Sequence, residues 1–186
     1  MRFTLPVLLL LAACCCSEVS AGPPGSVTRT FYVTGIECGA CIYLVQLSAS
    51  ERKGVLKADV EQTADSYTNV TFDPLLVSEH QIAQAIREAM PLHGSPYQAR
   101  LKVRVGQYAK HAAAVALLFE RWRAWVRCEV LDEGKGELLV HFLPLQTGSA
   151  QTGATGWSAA VFREALQTGL PAGVPVEFVE EKPPAF

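Results

Sequence analysis

Two cysteines stand three apart in the stretch Gly35-Ile36-Glu37-Cys38-Gly39-Ala40-Cys41. A short apolar run precedes them and a helix-like run follows, so Cys38 falls in a loop leaving a strand and Cys41 about one turn into a helix. A helix start presents unpaired N–H groups and a positive dipole end, and both favour thiolate over thiol. Two thiolates on an adaptable loop can converge on one soft ion, and sulfur donors select Cu(I) and similar thiophilic ions over hard cations. Gly35 and Gly39 permit a tight backbone around them. A structural zinc site wants four ligands, whereas two cysteines stand here with no clustered histidines nearby. The spacing therefore suits a low-coordinate, exchangeable ion better than structural zinc. The same spacing at a helix start is also that of a redox dithiol, and two neighbouring thiols can close into a structural disulfide. On the residues alone the three chemistries stay open.

The elements around the pair must hold it. Residues 27–36 read as a strand, with Arg29, Phe31 and Val33 alternating against Thr30, Tyr32 and Thr34. From Cys41 the pattern turns helical through Ile42, Val45, Ala49 and Arg52, and Gly54 stops it. Residues 55–62 and 67–72 read as strands around a polar turn. Ser78 is a good N-cap for a helix over 79–90, with Ile82, Ala85, Ile86 and Ala89 on one face. Met90 reads as part of that helix's core. Residues 97–105 form a long extended run. The order β-α-β-β-α-β is the ferredoxin-like plan, an α+β fold with two helices on one face of an antiparallel sheet.

The order then recurs. Residues 107–123 read as a helix, 126–131 and 137–142 as strands about Gly134-Lys135-Gly136, 157–167 as a helix and 174–179 as a strand. Val140-His141-Phe142-Leu143-Pro144 corresponds to Val70-Thr71-Phe72-Asp73-Pro74, and Phe162-Arg163-Glu164-Ala165 to Ile86-Arg87-Glu88-Ala89. Two tandem units are expected, 27–100 and 101–181, with 182–186 as a tail. Only residues 97–105 are available both as fourth strand of the first unit and as first strand of the second, whether end to end or shared. At the offset that aligns the copies, Cys38 falls on Ala109 and Cys41 on Ala112, so the second unit lacks the C-x-x-C pair. Cys128, on a strand, reads as a small buried hydrophobe. Trp122, Trp125 and Trp157 suit packing in this half.

The whole chain bounds the possibilities. A hydrophobic fraction of 49% against 18% charged residues predicts a packed globular protein and excludes wholesale disorder. The net charge of -2 gives no reason to expect nucleic acid as a partner. Arg2 followed by an apolar run over 5–16 reads as a signal peptide, residues 1–21, with residues 22–26 as a linker. Leu11-Ala12-Ala13-Cys14 resembles the lipobox of bacterial lipoproteins, which implies cleavage before Cys14 and lipidation of its sulfur. Val19-Ser20-Ala21 offers small residues for ordinary cleavage after Ala21 as the competing reading. Either way an exported protein of the periplasm or cell envelope is expected, in contact with membrane only if Cys14 carries a lipid anchor.

The stretch from Gly35 to Cys41, between a strand and a helix of a β-α-β-β-α-β unit, resembles the heavy-metal-associated (HMA) domain family. That family includes copper chaperones, metal-binding modules of copper-transporting ATPases and exported mercury-binding proteins. The resemblance spans about 27–101 and includes Tyr97-Gln98-Ala99, similar to the family's entry into its fourth strand. It implies Cys38 and Cys41 as metal ligands and Tyr97 as the aromatic beside them. Ile36 replaces the family's usual methionine, which supports the loop and is not a ligand. Glu37 stands within the motif. His93, in a loop longer than usual before the fourth strand, is a third ligand, a gate or simply an exposed loop histidine; the last is the plainer reading. The expected function is non-enzymatic: binding a soft ion, most readily Cu(I), with Hg(II), Zn(II) or another thiophilic ion as alternatives, and transferring it to or from an envelope partner protein or sequestering it. A thiol–disulfide oxidoreductase, or a protein-binding module with a structural disulfide, would account for the same residues.

Overall fold

A computed structural model describes residues 24–61, 66–146, 153–169 and 174–182. The signal peptide, Cys14, the first two linker residues and all of the tail beyond Lys182 lie outside the described residues. Among the described residues no helix is long and apolar enough to cross a membrane.

The described residues form eleven elements in the order β1 (Val27–Thr34), α1 (Gly39–Ser50), β2 (Val55–Glu61), β3 (Tyr67–Phe72), α2 (Glu79–Glu88), β4 (Gln98–Val105), α3 (Tyr108–Arg121), β5 (Val126–Asp132), β6 (Glu137–Phe142), α4 (Ala159–Gly169) and β7 (Val176–Phe178). Strands β2-β3-β1-β4-β6-β5 form one antiparallel sheet, and β7 also pairs with β4. The first six elements give the strand order β2-β3-β1-β4, and the run from β4 to β7 gives β5-β6-β4-β7, the same order again.

Strand β4 belongs to both runs. One of its edges bonds β6 through Arg100–Arg104. The other takes β1 against Gln98–Leu101 and then β7 against Val103–Val105. The two runs are therefore fused through one strand into one sheet, and the expected boundary between residues 100 and 101 falls inside β4. Alternation along β4 satisfies both partners: Ala99, Leu101, Val103 and Val105 are buried, while Arg100, Lys102 and Arg104 face the other way.

One core lies on the helical face. It joins Phe31 and Val33 of β1, Leu101 and Val103 of β4 and Leu138 and Val140 of β6 to Val45 of α1, Ile82 and Ile86 of α2, Phe119 of α3 and Phe162 of α4. Trp157, fully buried, packs on Phe142, Phe162, Phe178 and Trp122. On the opposite face, the chain after β7 crosses the sheet. Glu181 N–H donates to Thr30 Oγ1 at 2.8 Å, Asn69 Nδ2 to the Glu181 carbonyl at 3.0 Å, and the Tyr67 hydroxyl to the Lys182 carbonyl at 3.1 Å. Thr30 and Tyr32 are buried under that segment although they point away from the helices.

Several boundaries differ from the sequence pattern for local reasons. Strand β1 ends at Thr34, short of 36, because Gly35 turns the chain at φ +90°. Helix α2 ends at Glu88, so Met90 is 70% exposed and is not part of any helix core. Every residue of α2 from Glu79 to Ile86 is buried, polar ones included. The segment before α4 wraps that side of the helix. Gln81 bonds Gly153 and Thr155 at 3.0 and 3.1 Å, and Glu79 accepts from the N–H of Ala159 at 3.2 Å.

Candidate metal centre

The site is built where β1 hands over to α1. Gly35 adopts a conformation that other residues rarely take, and a Cβ there would lie 3.3 Å from Cδ1 of Tyr97. The buried Tyr97 ring thus packs directly against the loop. Ile36 is partly buried against the core, while Glu37 is exposed. Gly39 has open space around its Cβ position and no unusual φ, so it is not sterically required.

Cys38 is the N-cap of α1. Its backbone is extended, at φ -154° and ψ 164°, and its Sγ accepts the N–H of Cys41 at 3.3 Å. A sulfur thus fills the role a serine or aspartate oxygen fills at most helix starts. Cys41 sits at the third helical position and is fully buried, while Cys38 is part-exposed. Both are free thiols, with their Sγ atoms 2.8 Å apart. Burial pushes the Cys41 thiol up. Hydrogen bonding from the Cys38 side chain, the Tyr97 hydroxyl and the backbone of Glu37 and Cys38 overrides that effect and brings it down to about 6. Burial, then the neighbouring Cys41, pushes the Tyr97 phenol up to about 12.

His93 comes to the same place. It lies in the exposed loop between α2 and β4, and its ring nitrogen and the two sulfurs all lie within 4.8 Å of one another. One ion bonded at about 2.3 Å to sulfur and about 2.0 Å to imidazole requires donors within about 4.6 Å of each other. The donors are near enough to share one soft ion, once the two sulfurs move apart from 2.8 Å to about 4 Å to take it between them. Among the described residues no other group of three such side chains is gathered in this way. The signal in the sequence was the length of the loop over 90–96 together with its histidine. What no local pattern supplied was the loop's path to the thiols.

A hollow of about 360 Å³ lies on the sheet face away from the helices, lined by Tyr32, Gly35, Arg100, Lys102 and Leu139. It contains no thiol and no imidazole, and it is separate from the donor cluster.

The second run carries no counterpart. Four residues separate β1 from α1, but only Gly106 and Gln107 separate β4 from α3. Aligning the helix starts therefore places Gln107 opposite Cys38 and Lys110 opposite Cys41, not the expected Ala109 and Ala112. Gln107 adopts φ +52° and offers no side-chain cap, and Lys110 Nζ donates to its Oε1 at 3.1 Å. An ammonium group thus stands where a ligand would be. Cys128 packs against the core, and burial pushes its thiol up to about 12, which leaves it inert at neutral pH. His80 is buried in α2 and His141 bonds Glu129 at 2.8 Å; neither belongs to the thiols' cluster.

No protein-family profile and no curated protein sequence matches the chain. Among solved structures, it is similar to the water-soluble region of the P-type ATPase CopA from Bacillus subtilis. That match has 18% identity and a TM-score of 0.37, and covers 82% of this chain and 91% of that one. A second match, to the N-terminal soluble domains of Bacillus subtilis CopA, has 18% identity and a TM-score of 0.32, and covers 83% and 94%. Overlaps this loose carry no argument about what the chain binds.

Proposed function

We propose that this protein is a non-enzymatic carrier of a soft metal ion, which it binds through Cys38 and Cys41 and passes on or sequesters. The observation that carries the reading is the convergence of two free thiols and an imidazole at a helix N-terminus. Cu(I) is the ion of choice, because two sulfurs with at most one borderline donor match its low coordination number. Hg(II) would fit the same sulfurs, and Zn(II) would need a further ligand from outside the chain.

The N-terminal residues carry the reading of location. A signal-peptide-like run with a lipobox-like Leu11-Ala12-Ala13-Cys14 supports export to the cell envelope, with Cys14 as lipid attachment point. A metal donor or acceptor protein of the same compartment would then be its partner.

The oxidoreductase reading is weaker on one structural ground. A dithiol exchange centre needs an accessible low-pKa thiolate to attack its substrate. Here Cys41 is fully buried and only Cys38 is part-exposed, so one sulfur of the pair is closed to a substrate disulfide. That arrangement suits holding an ion between an anchored and an accessible sulfur.

The test is an anaerobic titration of the reduced chain with Cu(I) against a competing chelator, beside a Cys38→Ser/Cys41→Ser variant. One tightly held ion per chain, absent in the variant, is expected. Failure to compete, combined with rapid thiol–disulfide exchange on a model disulfide, would transfer the assignment to redox chemistry.

A further inference from the structure

We infer that His93 completes the site as a third ligand, so that Cu(I) is held by two sulfurs and one imidazole, and that His93 is the donor released when the ion moves on. The inference rests on the reading of Cys38 and Cys41 as metal ligands. Three features carry it.

The first is distance. The imidazole is not merely on the same side of the molecule; its ligating atom shares a 4.8 Å cluster with both sulfurs. The second is the contact that holds its loop there. Tyr97, four residues after His93, is buried, and its ring packs on Gly35, where a Cβ would lie 3.3 Å from Cδ1. One ring thus anchors the end of the histidine's loop against the loop that carries the thiols.

The third feature is the contrast in enclosure between the donors. Cys38 is locked as the cap of α1, and Cys41 is enclosed in its first turn. His93 lies in a stretch exposed from Met90 to Pro96, next to Gly94, whose Cβ position has nothing within 4 Å and whose φ is +85°. Such a backbone can swing at little cost in packing. Ligand exchange removes the weakest and freest donor first. Imidazole is a harder, borderline donor that suits Zn(II) and Cu(II), whereas Cu(I) prefers the softer thiolates. As an incoming sulfur binds, the His93 nitrogen dissociates with its lone pair and Cu(I) keeps its oxidation state throughout. The two cysteines then release the ion to the partner in turn.

The experiment is X-ray absorption at the copper edge on the reduced, Cu(I)-loaded full chain and on His93→Ala, with chelator competition on both. A shell of two sulfurs and one nitrogen in the unaltered chain, reduced to two sulfurs in His93→Ala, is expected. The variant should bind Cu(I) roughly tenfold or more weakly, the scale on which supporting metal contacts act, and should give up the ion faster to a dithiol acceptor. A two-sulfur shell in both proteins with equal affinity would overturn the inference and leave the cysteine reading intact. Failure of the unaltered chain to bind Cu(I) would overturn both. His93 is exposed and holds no core contact, so its removal leaves the fold as a control.

Discussion

The N–H of Trp157 donates to Nδ1 of His80 at 3.3 Å, and the N–H of His80 donates back to the carbonyl of Trp157 at 3.3 Å. The other ring nitrogen, Nε2, lies 2.7 Å from the carbonyl of Leu143. A carbonyl only accepts, so Nε2 carries the proton and Nδ1 is the bare acceptor. The imidazole is thus neutral and fixed in one tautomer. It pins the segment before α4 onto α2 and so welds the second run of the fold to the first. Gly156 is required there: a Cβ would fall 2.8 Å from Nδ1, at φ +80°.

That pairing makes stability depend on acid. Burial, together with Arg87, pulls His80 below the usual histidine range against the opposing effect of the Leu143 carbonyl. The charged groups of α2 nearest it are Glu79 and Arg87, the latter bonded to the Phe142 carbonyl at 2.8 Å. A group with a lowered folded pKa binds more protons unfolded, so its stabilisation is complete above about pH 6.5 and is lost as pH falls through the folded value. Urea unfolding midpoints should be flat above neutrality and decline below it. His80→Ala should cost about 2–4 kcal/mol at pH 7.5, by the cavity and the two orphaned backbone groups. The variant should also flatten the decline. An undiminished acid slope in His80→Ala would assign it to other groups.

Gly35→Ala should damage both stability and binding. The new methyl group is forced into a left-handed backbone and against Tyr97. A loss of about 1–2 kcal/mol is expected from backbone strain, read as a lower thermal midpoint. Cu(I) affinity should fall with it, because the Cys38 cap follows three residues later. Gly39→Ala, with open space at its Cβ, should leave both measurements nearly unchanged.

Cys41 should ionise early. With the thiol held down to about 6 against a free value of about 8.5, thiolate absorbance of the reduced apoprotein should rise in two steps, the first near pH 6. Tyr97→Phe removes a hydroxyl that favours the thiolate, so that step should move upward. The folded pKa is the lower one, so this ionisation adds stability as pH rises from about 6 towards 8.5 and removes it on the way down. A first step unmoved by Tyr97→Phe would mean that the hydroxyl does not act on Cys41.

Arg29 and Glu79 form a pair at 3.5 Å with side-chain exposures of 8% and 3%. Burial raises Glu79 and lowers Arg29, each working against its charge, while the attraction between them and the Ala159 N–H oppose that effect. The Arg29 guanidinium also lies 4.8 Å from the centre of the Phe178 ring. Arg29→Met should destabilise by about 3–5 kcal/mol, the usual result of stranding a buried charge. Adding Glu79→Gln to it should recover part of the loss in equilibrium unfolding, since the stranded charge is then gone.

The thiol pair was readable from the chain because its geometry is local. A strand end, a glycine turn and a helix start fix where residues i and i+3 point, and all three are visible between Phe31 and Val45. The order of elements was equally legible, since periods of two and of about three and a half residues survive in β1, β3, α2 and β4. The sharing of β4 was not. Alternation in Ala99-Arg100-Leu101-Lys102-Val103 tells which face each residue takes but says nothing about which strand bonds each edge, and hydrogen bonds to neighbours are made by a backbone common to all residues. The pattern of α2 shows one apolar face, Ile82, Ala85, Ile86 and Ala89, but the polar Glu79, His80, Gln81 and Gln84 are buried as well because residues 153–158, remote in sequence, close over them. The alignment of Cys38 with Ala109 failed for a similar reason: a loop two residues shorter moved the start of α3. His93 depended on the tertiary fold most of all. Its distance from the thiols is set by where α2 ends, where β4 begins and how Tyr97 packs between them, and a chain pattern contains no term for contacts between residues some fifty positions apart.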